Sequence, residues 1–297
     1  MVEKLVSVVI PAFNRETTII RAIESVLSQS YSNLECIIVD DCSTDNTVDI
    51  VNTTYANNER VTCYKLPHNS GACVARNKGV EIAKGEYVAF LDSDDVYKTE
   101  KIEKQIAALL SSGADFCATG FEYVAGEDCS IVLPYKGNKE DILKQLLYLN
   151  CITTGVLCGR RSCLLETPFD VNQPRYQDWD IALRLFKKYS FVFIDDVTLE
   201  LISNPVSISS STSHSKTLNA LKMLYKKNED DYKKDKRAYS QIHWLMGLHS
   251  MYVPGQRNYM DLWIGVTSNG LSFHRLWIFI AMLLGFKNIF QNKVQHI

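Results

Sequence analysis

Residues 87–95 read Tyr-Val-Ala-Phe-Leu-Asp-Ser-Asp-Asp, and the fold follows from this stretch. Residues 87–91 form an unbroken apolar run of strand length, the pattern of a strand covered on both faces. The run stops at Asp92, Ser93, Asp94 and Asp95. Crowded carboxylates repel one another unless a cation offsets them, so a purely structural turn is a poor account of this group. Asp is also a common turn and cap residue, and for Asp45 that simpler role suffices.

The same arrangement occurs upstream. Residues 36–39 (CIIV) run into Asp40 and Asp41, and residues 6–10 (VSVVI) stop at Pro11. Between the strands, Ile19, Ile20, Ile23, Val26 and Leu27 fall at helical spacing. Ser43, Thr44, Asp45 and Asn46 offer capping side chains ahead of Val48 and Val51. Residues 61–66 form a third strand, and Gly71 precedes a helix over 72–84. This alternation with short links predicts an α/β fold, a Rossmann-like, mostly parallel sheet with helices on both faces. Ligands of such sheets bind at the carboxyl ends of the strands, where these acids stand. A divalent cation with oxygen ligands would offset their charge and hold a diphosphate.

The second half is mixed. Strands are expected over 116–124, 156–161, 191–195 and 197–202, and helices over 141–149 and 177–189. A serine-rich loop covers 207–215, and lysine-rich helix continues to about residue 252. The chain has 297 residues, of which 46% are hydrophobic and 22% charged, so a large core is expected. A net charge of -2 gives no reason to expect nucleic acid as a partner. Nine cysteines, an odd number with no C-x-x-C and no zinc-type spacing, point to free thiols in a reduced, cytoplasmic compartment. The short apolar run before Pro11 is not a signal peptide.

Five strings in order, VSVVIPAFNR (6–15), VDDCSTDNT (39–47), NSGACVARNKG (69–79), FLDSDD (90–95) and QDWDIALRL (177–185), resemble glycosyltransferase family 2. The resemblance covers about residues 5–210. It implies a GT-A fold, an inverting bacterial-type mechanism and a UDP-sugar donor. It divides the chain into a catalytic domain, 1–212, and a helical extension, 213–297. Within the domain, about 1–97 would bind nucleotide and about 98–212 would serve the acceptor.

By the same resemblance, Pro11, Ala12, Phe13 and Asn14 line the nucleotide pocket, with Gly71 opening the loop ahead of the next helix. Asp41 accepts a hydrogen bond from the base, a role Asp40 could share. Arg76 lies near base and phosphates; its simpler alternative is a surface salt bridge to Glu81 or Glu86. Asp92, Ser93 and Asp94 form the DxD motif, with Mn²⁺ or Mg²⁺ assigned to Asp94 and Asp95 as the alternative. Asp178 matches the catalytic base, and its place at a helix N-terminus favours the ionised, proton-accepting form. Asp180 competes with it but points elsewhere on the helix; helix capping is the simpler role for Asp178. Gln177 stands where the family often carries Glu.

Residues 276–286 (LWIFIAMLLGF) carry no charge and lie between Arg275 and Lys287. As a helix they would be about 16 Å long, half of what a bilayer requires. With Trp277, Phe279 and Phe286, residues 271–297 suit a membrane-surface helix, and residues 216–237 carry an excess of four positive charges. Such a contact suits a lipid-linked saccharide acceptor at the inner face of the cytoplasmic membrane, as in surface polysaccharide assembly. A solvated helix packed on the domain is the alternative. Two other functions fit less well. A nucleotidyltransferase acting on sugar phosphates would open with a glycine- and basic-rich phosphate loop, which residues 12–16 lack. A catalytically inactive nucleotide-binding member would not be expected to keep Asp41, Asp92, Asp94 and Asp178 together.

Overall fold

Continuous apolar runs can form buried strands only where neighbours satisfy their backbone, and the first four runs do so by pairing with one another. The computed structural model describes residues 4–126, 128–202 and 213–284. In chain order the elements are β1 (Val6–Ala12), α1 (Ile19–Leu27), β2 (Leu34–Asp40), α2 (Thr47–Thr54), β3 (Val61–Lys65), α3 (Ala72–Ile82), β4 (Tyr87–Phe90), β5 (Val96–Tyr97) and α4 (Lys101–Ser112). There follow β6 (Phe116–Ala125), β7 (Asp128–Val132), α5 (Lys139–Tyr148), β8 (Leu157–Arg160), α6 (Arg161–Glu166), α7 (Gln177–Lys188) and β9 (Phe191–Ile202). Helices α8 (His214–Lys227), α9 (Glu229–Lys234), α10 (Lys236–Ser250), α11 (Tyr259–Thr267) and α12 (Phe273–Leu283) complete the described chain.

The sheet order is β3-β2-β1-β4-β8-β6-β9-β5, with β7 paired to β6. Strands β3, β2, β1 and β4 are parallel, β8 is antiparallel to both its neighbours, and β6 and β9 are parallel. Every residue of β1 is buried. Pro11 has no N–H to give a ladder, and it lies past the last β4 pair, Val9 with Phe90. Gly79 lets α3 press onto this strand, since a Cβ there would lie 2.2 Å from Val9 Cγ1. Ala12 stands opposite Asp40, so the ends of β1 and β2 deliver their loops side by side.

One expectation is corrected. The two strands read over 191–195 and 197–202 are a single strand, β9. The acidic pair Asp195–Asp196 looked like a strand end. Both side chains are exposed at a register shift against β6, and they pair with Lys136 and Lys104. Lys101 is unusual in the opposite sense, being fully buried. Its ammonium lies 3.4 Å from Thr198 Oγ1 and 4.8 Å from the centre of the Tyr97 ring.

The chain divides into two compact units. The first comprises Met1–Lys136, Cys151–Val171 and Ile181–Asn204. The second comprises Gly137–Asn150, Asn172–Asp180 and Pro205–Ile297, so the C-terminal helices share a unit with two stretches of the expected acceptor half. Its apolar centre holds Trp244, Leu248, Leu262, Val266, Ile278 and Met282. Helices α10 and α11 approach closely because Gly247 and Gly265 face backbone; a Cβ on Gly265 would lie 2.7 Å from Trp244 Cα. All nine cysteines are free thiols. Among the described residues no helix is long and apolar enough to cross a membrane. Phe286, Lys287 and most of the serine-rich loop lie outside the described residues.

Candidate active site

In the first unit the loops after β1 and β2 are fastened together by short polar side chains. Asn14 adopts a left-handed conformation (φ 53°). Its N–H donates to Ser43 Oγ at 2.8 Å, and its Oδ1 accepts from Thr44 N at 2.9 Å. Asp41 N donates to Ala12 O, and Arg15 N to Thr47 Oγ1. Pro11 and Ala12 are buried behind this junction, while the Phe13 ring is 38% exposed. Asn and short hydroxyl side chains suit such a loop because they replace missing backbone partners.

The structure separates the roles of Asp40 and Asp41. Asp40 is fully buried; one oxygen accepts from Ser43 N and the other, Oδ1, has no partner. Asp41 accepts from Ser70 N at 2.6 Å and Gly71 N at 2.7 Å, one bond to each oxygen. Hydrogen bonds to a charged group contribute about 1.5–3 kcal/mol each, so Asp41 fixes the entry to α3. Gly71 occupies that entry with φ 92°, a conformation side chains disfavour.

Arg76, on α3, points at the acidic turn. Its Nη2 donates to Asp92 Oδ1 at 2.7 Å, and its guanidinium lies 5.5 Å from the centre of the Phe169 ring. The surface-pair alternative is therefore corrected: Lys78 holds Glu81, and Lys4 and Arg160 hold Glu86. Ser93 is buried in the turn. Asp94 has Arg15 Nη2 3.9 Å from its Oδ2, and its carbonyl accepts from Arg21 Nη2 at 2.7 Å. Asp95 is buried, with Oδ1 accepting from Ile202 N at the end of β9. Burial, and then the neighbouring Asp92, push both the Asp94 and Asp95 carboxyls above the usual range, Asp95 well above it.

Those shifts bear on the metal. Only Asp92 has a short ion pair, while Arg15 stays 3.9 Å from Asp94 and Arg21 binds its carbonyl, so an added cation beside Asp94 and Asp95 would be stabilised there. Its donors are hard oxygens, the type Mn²⁺ and Mg²⁺ take. Asp94 is more accessible than Asp95, one of whose oxygens already serves the backbone. Among the described residues no three His, Cys, Asp or Glu side chains gather into a metal cluster. The chain would supply one or two carboxylates and leave the other positions to phosphate and water, as magnesium-type sites do. The residues present fit the ion.

The acids of α7 belong to the second unit. Asp178 Oδ1 accepts from Trp179 N at 2.9 Å, and Oδ2 accepts from Asn150 Nδ2 at 3.0 Å. Asp180 is buried and paired with Lys227 Nζ at 2.7 Å, so it faces elsewhere, as its helical offset predicts. Trp179, packed edge-on to Tyr176, donates its indole N–H to Leu146 O and anchors this start of the helix.

Three residues near these acids escaped the sequence reading. Arg15 closes the first motif string, which could have marked it. Arg21 looked like the polar face of α1, and Asn150 lies in a loop with no motif.

Comparison with known proteins places these features in context. The sequence profile described as Glycosyl transferase family 2 matches residues 7–167. A putative teichuronic acid biosynthesis glycosyltransferase, TuaG of Bacillus subtilis, is 43% identical over 153 residues, 50% of this chain and 60% of that protein. The chain thus matches less than two thirds of that relative's length. Escherichia coli WfgD, a UDP-Glc:alpha-D-GlcNAc-diphosphoundecaprenol beta-1,3-glucosyltransferase, is 30% identical over 224 residues, 75% of this chain and 84% of that protein. Among solved structures, S. aureus TarS 1-349 in complex with UDP-GlcNAc superposes with a TM-score of 0.65 at 19% identity, covering 93% of this chain and 81% of that one. The mannosyltransferase PcManGT of Pyrobaculum calidifontis, with GDP-Man and Mn²⁺, gives 0.61 at 16% identity, covering 98% and 81%. At such identities the likeness establishes the fold, the GT-A architecture expected above.

Proposed function

The chain belongs to glycosyl transferase family 2, and on that premise we propose that it transfers a sugar from a UDP-sugar to a lipid-linked saccharide acceptor, with inversion, in surface polysaccharide synthesis. The observation that carries this reading is that Asp41, Asp92 and Asp94 stand at the carboxyl ends of β2 and β4, with Asp41 bonded to the backbone entry of α3 and Arg76 of that helix reaching Asp92. The donor and acceptor named for WfgD, and the UDP-GlcNAc bound by TarS, support the substrate classes. In this reading residues 1–212 carry the reaction, and 213–297 meet the inner face of the cytoplasmic membrane.

Pro11, Ala12, Phe13 and Asn14 shape the base pocket. Asp41 keeps free lone pairs beside its two backbone bonds and accepts from the base, with Asp40 bracing the loop beneath it. Arg76 serves the phosphates, and Asp92 and Ser93 the sugar side of the nucleotide. Asp94, with Asp95 as its neighbour, would hold Mn²⁺ or Mg²⁺, which neutralises charge on a diphosphate leaving group. Asp178 removes the acceptor hydroxyl proton as that oxygen bonds to the anomeric carbon. The bond from that carbon to the diphosphate breaks, and its electron pair leaves with UDP. One base and one displacement invert the anomeric centre.

The test is UDP release from a panel of UDP-sugars with membrane-extracted acceptor. Release should stop in chelator, return with Mn²⁺ or Mg²⁺, and stay absent in Asp94→Ala at excess metal. Full turnover in chelator would remove the metal from the mechanism, and release of pyrophosphate from UTP and a sugar 1-phosphate, with no UDP from any UDP-sugar, would make the protein a nucleotidyltransferase.

A further inference from the structure

Helix α12 has two unlike sides. Ile278, Ala281 and Met282 are buried in the apolar centre of the second unit. On the other side Phe273 is 76% exposed, Trp277 59%, Ile280 45% and Leu284 68%. Their spacing of four, three and four residues forms one stripe along the helix. Helix α11 adds Met260, 64% exposed, and Trp263, 45% exposed, with Trp263 packed against Phe279 of α12 at 5.7 Å between ring centres.

The charge of this region is arranged in a particular way. Arg275, expected as a flanking cation for lipid, is turned inward: it donates to Ser240 Oγ, Gly265 O and Gln241 Oε1 and lies over the Trp244 ring. It pins α12 to α10 and α11 and leaves the outer stripe without charge. No acidic residue follows Asp261 in the sequence, whereas Lys287 and Lys293 follow the helix. A surface of Trp, Phe, Ile, Leu and Met is unfavourable in water, and the acid next to it in the sequence, Asp261, is buried against His243. The surface matches the boundary between acyl chains and anionic headgroups, where tryptophan partitions.

We propose that Met260, Trp263, Phe273, Trp277, Ile280 and Leu284 form a bilayer-docking face by which α11 and α12 lie in the interfacial plane of an anionic membrane. The proposal rests on the reading of a lipid-linked acceptor and gives it an address on the molecule. It extends the expected membrane segment to α11, which the sequence left out.

The tryptophans supply the test. Of the four, Trp179 and Trp244 are buried, and the two exposed ones, Trp263 and Trp277, both lie on this face. The full-length protein is mixed, without donor, with phosphatidylglycerol–phosphatidylethanolamine vesicles and with phosphatidylethanolamine–phosphatidylcholine vesicles. On the anionic vesicles it should co-sediment, shift its tryptophan emission to the blue and be quenched by brominated acyl chains. Trp263→Phe/Trp277→Phe should still sediment but lose lipid-dependent quenching. Phe273→Glu/Trp277→Glu should bind at least tenfold more weakly, while UDP release onto a short soluble acceptor stays near wild type. A wild type that stays in the supernatant, or sediments with unchanged emission, would overturn the proposal. Self-association that protects both tryptophans without lipid would do the same, assigning the face to a second copy. Because binding is read without donor, failure of the glycosyltransfer reading leaves this result standing, and the reverse.

Discussion

The acidic turn after β4 and the acidic start of α7 handle the same electrostatic problem in opposite ways. In the turn, Asp92 alone has a short ion pair, with Arg76, and Asp94 and Asp95 are left crowded enough for their carboxyls to hold protons more tightly than usual. On α7, two acids two residues apart are settled separately, Asp180 by Lys227 and Asp178 by Trp179 N and Asn150. The turn gains from an incoming positive charge. The helix start needs none, and its carboxylate is oriented before any ligand arrives. Binding and proton transfer should therefore be separable by mutation.

Asp178→Asn is the strongest attempt to break that separation. It keeps size and hydrogen-bonding capacity, and the Asn150 amide can flip to meet it. Loss of a general base costs roughly 10²–10⁴-fold in rate. UDP affinity, titrated with metal present, should change by less than about threefold, under ~1 kcal/mol. A large loss of affinity would place Asp178 with the nucleotide acids, and near-normal turnover would remove it as the base.

Asp180→Asn should look different in kind. It leaves Lys227 without its buried counter-charge, so the loss, about 3 kcal/mol, should appear in the melting temperature. Turnover per folded molecule should stay close to wild type. A dead but stable variant would transfer the role of base to Asp180.

Lys101 asks whether a buried charge without a carboxylate partner follows the same rules. Burial lowers its pKa from the usual 10.5 to about 8. Between those values the unfolded chain binds more protons than the folded one, so stability should rise as pH climbs through that window. Lys101→Met should flatten this dependence and raise stability at neutral pH by about 1–2 kcal/mol, after the lost contact with Thr198 is deducted. Thermal melts at pH 7 and 10 decide it; a destabilised variant would mean that the ammonium is better solvated than its burial implies.

Asn150→Ala is the subtlest. Removing one orienting donor from Asp178 should slow turnover about fivefold, roughly 1 kcal/mol, with donor affinity unchanged. Rescue by Asn150→Gln would favour orientation over mere packing.

The first hundred residues were legible because buried parallel strands are unbroken apolar runs and their acids are consecutive. The fold class and the four parallel strands follow from that alone. Legibility falls where strands are short or wet: β5 has two residues, β7 is largely exposed, and β9 carries Asp195 and Asp196 through its middle. The site was legible where one string holds the chemistry, as in the turn. It was not where partners are far apart in the chain: Arg21 reaches Asp94 across 73 residues, and Asn150 reaches Asp178 across 28. Nor could spacing alone tell that Arg275 faces inward.

Asp41 carries a consequence for descent. Its carboxylate closes the chain onto Ser70 and Gly71 and, in the reading proposed above, also meets the base. Selection for folding and selection for binding then act on one side chain, and no neutral drift can relax one without the other. Asp178 bonds the neighbouring Trp179 N and the Asn150 amide, whereas Asp41 holds two successive backbone N–H groups at a helix entry. In a lineage that abandoned transfer, Asp178 should vary first, while Asp41 should persist long after its ligand was gone, a relic preserved by the fold.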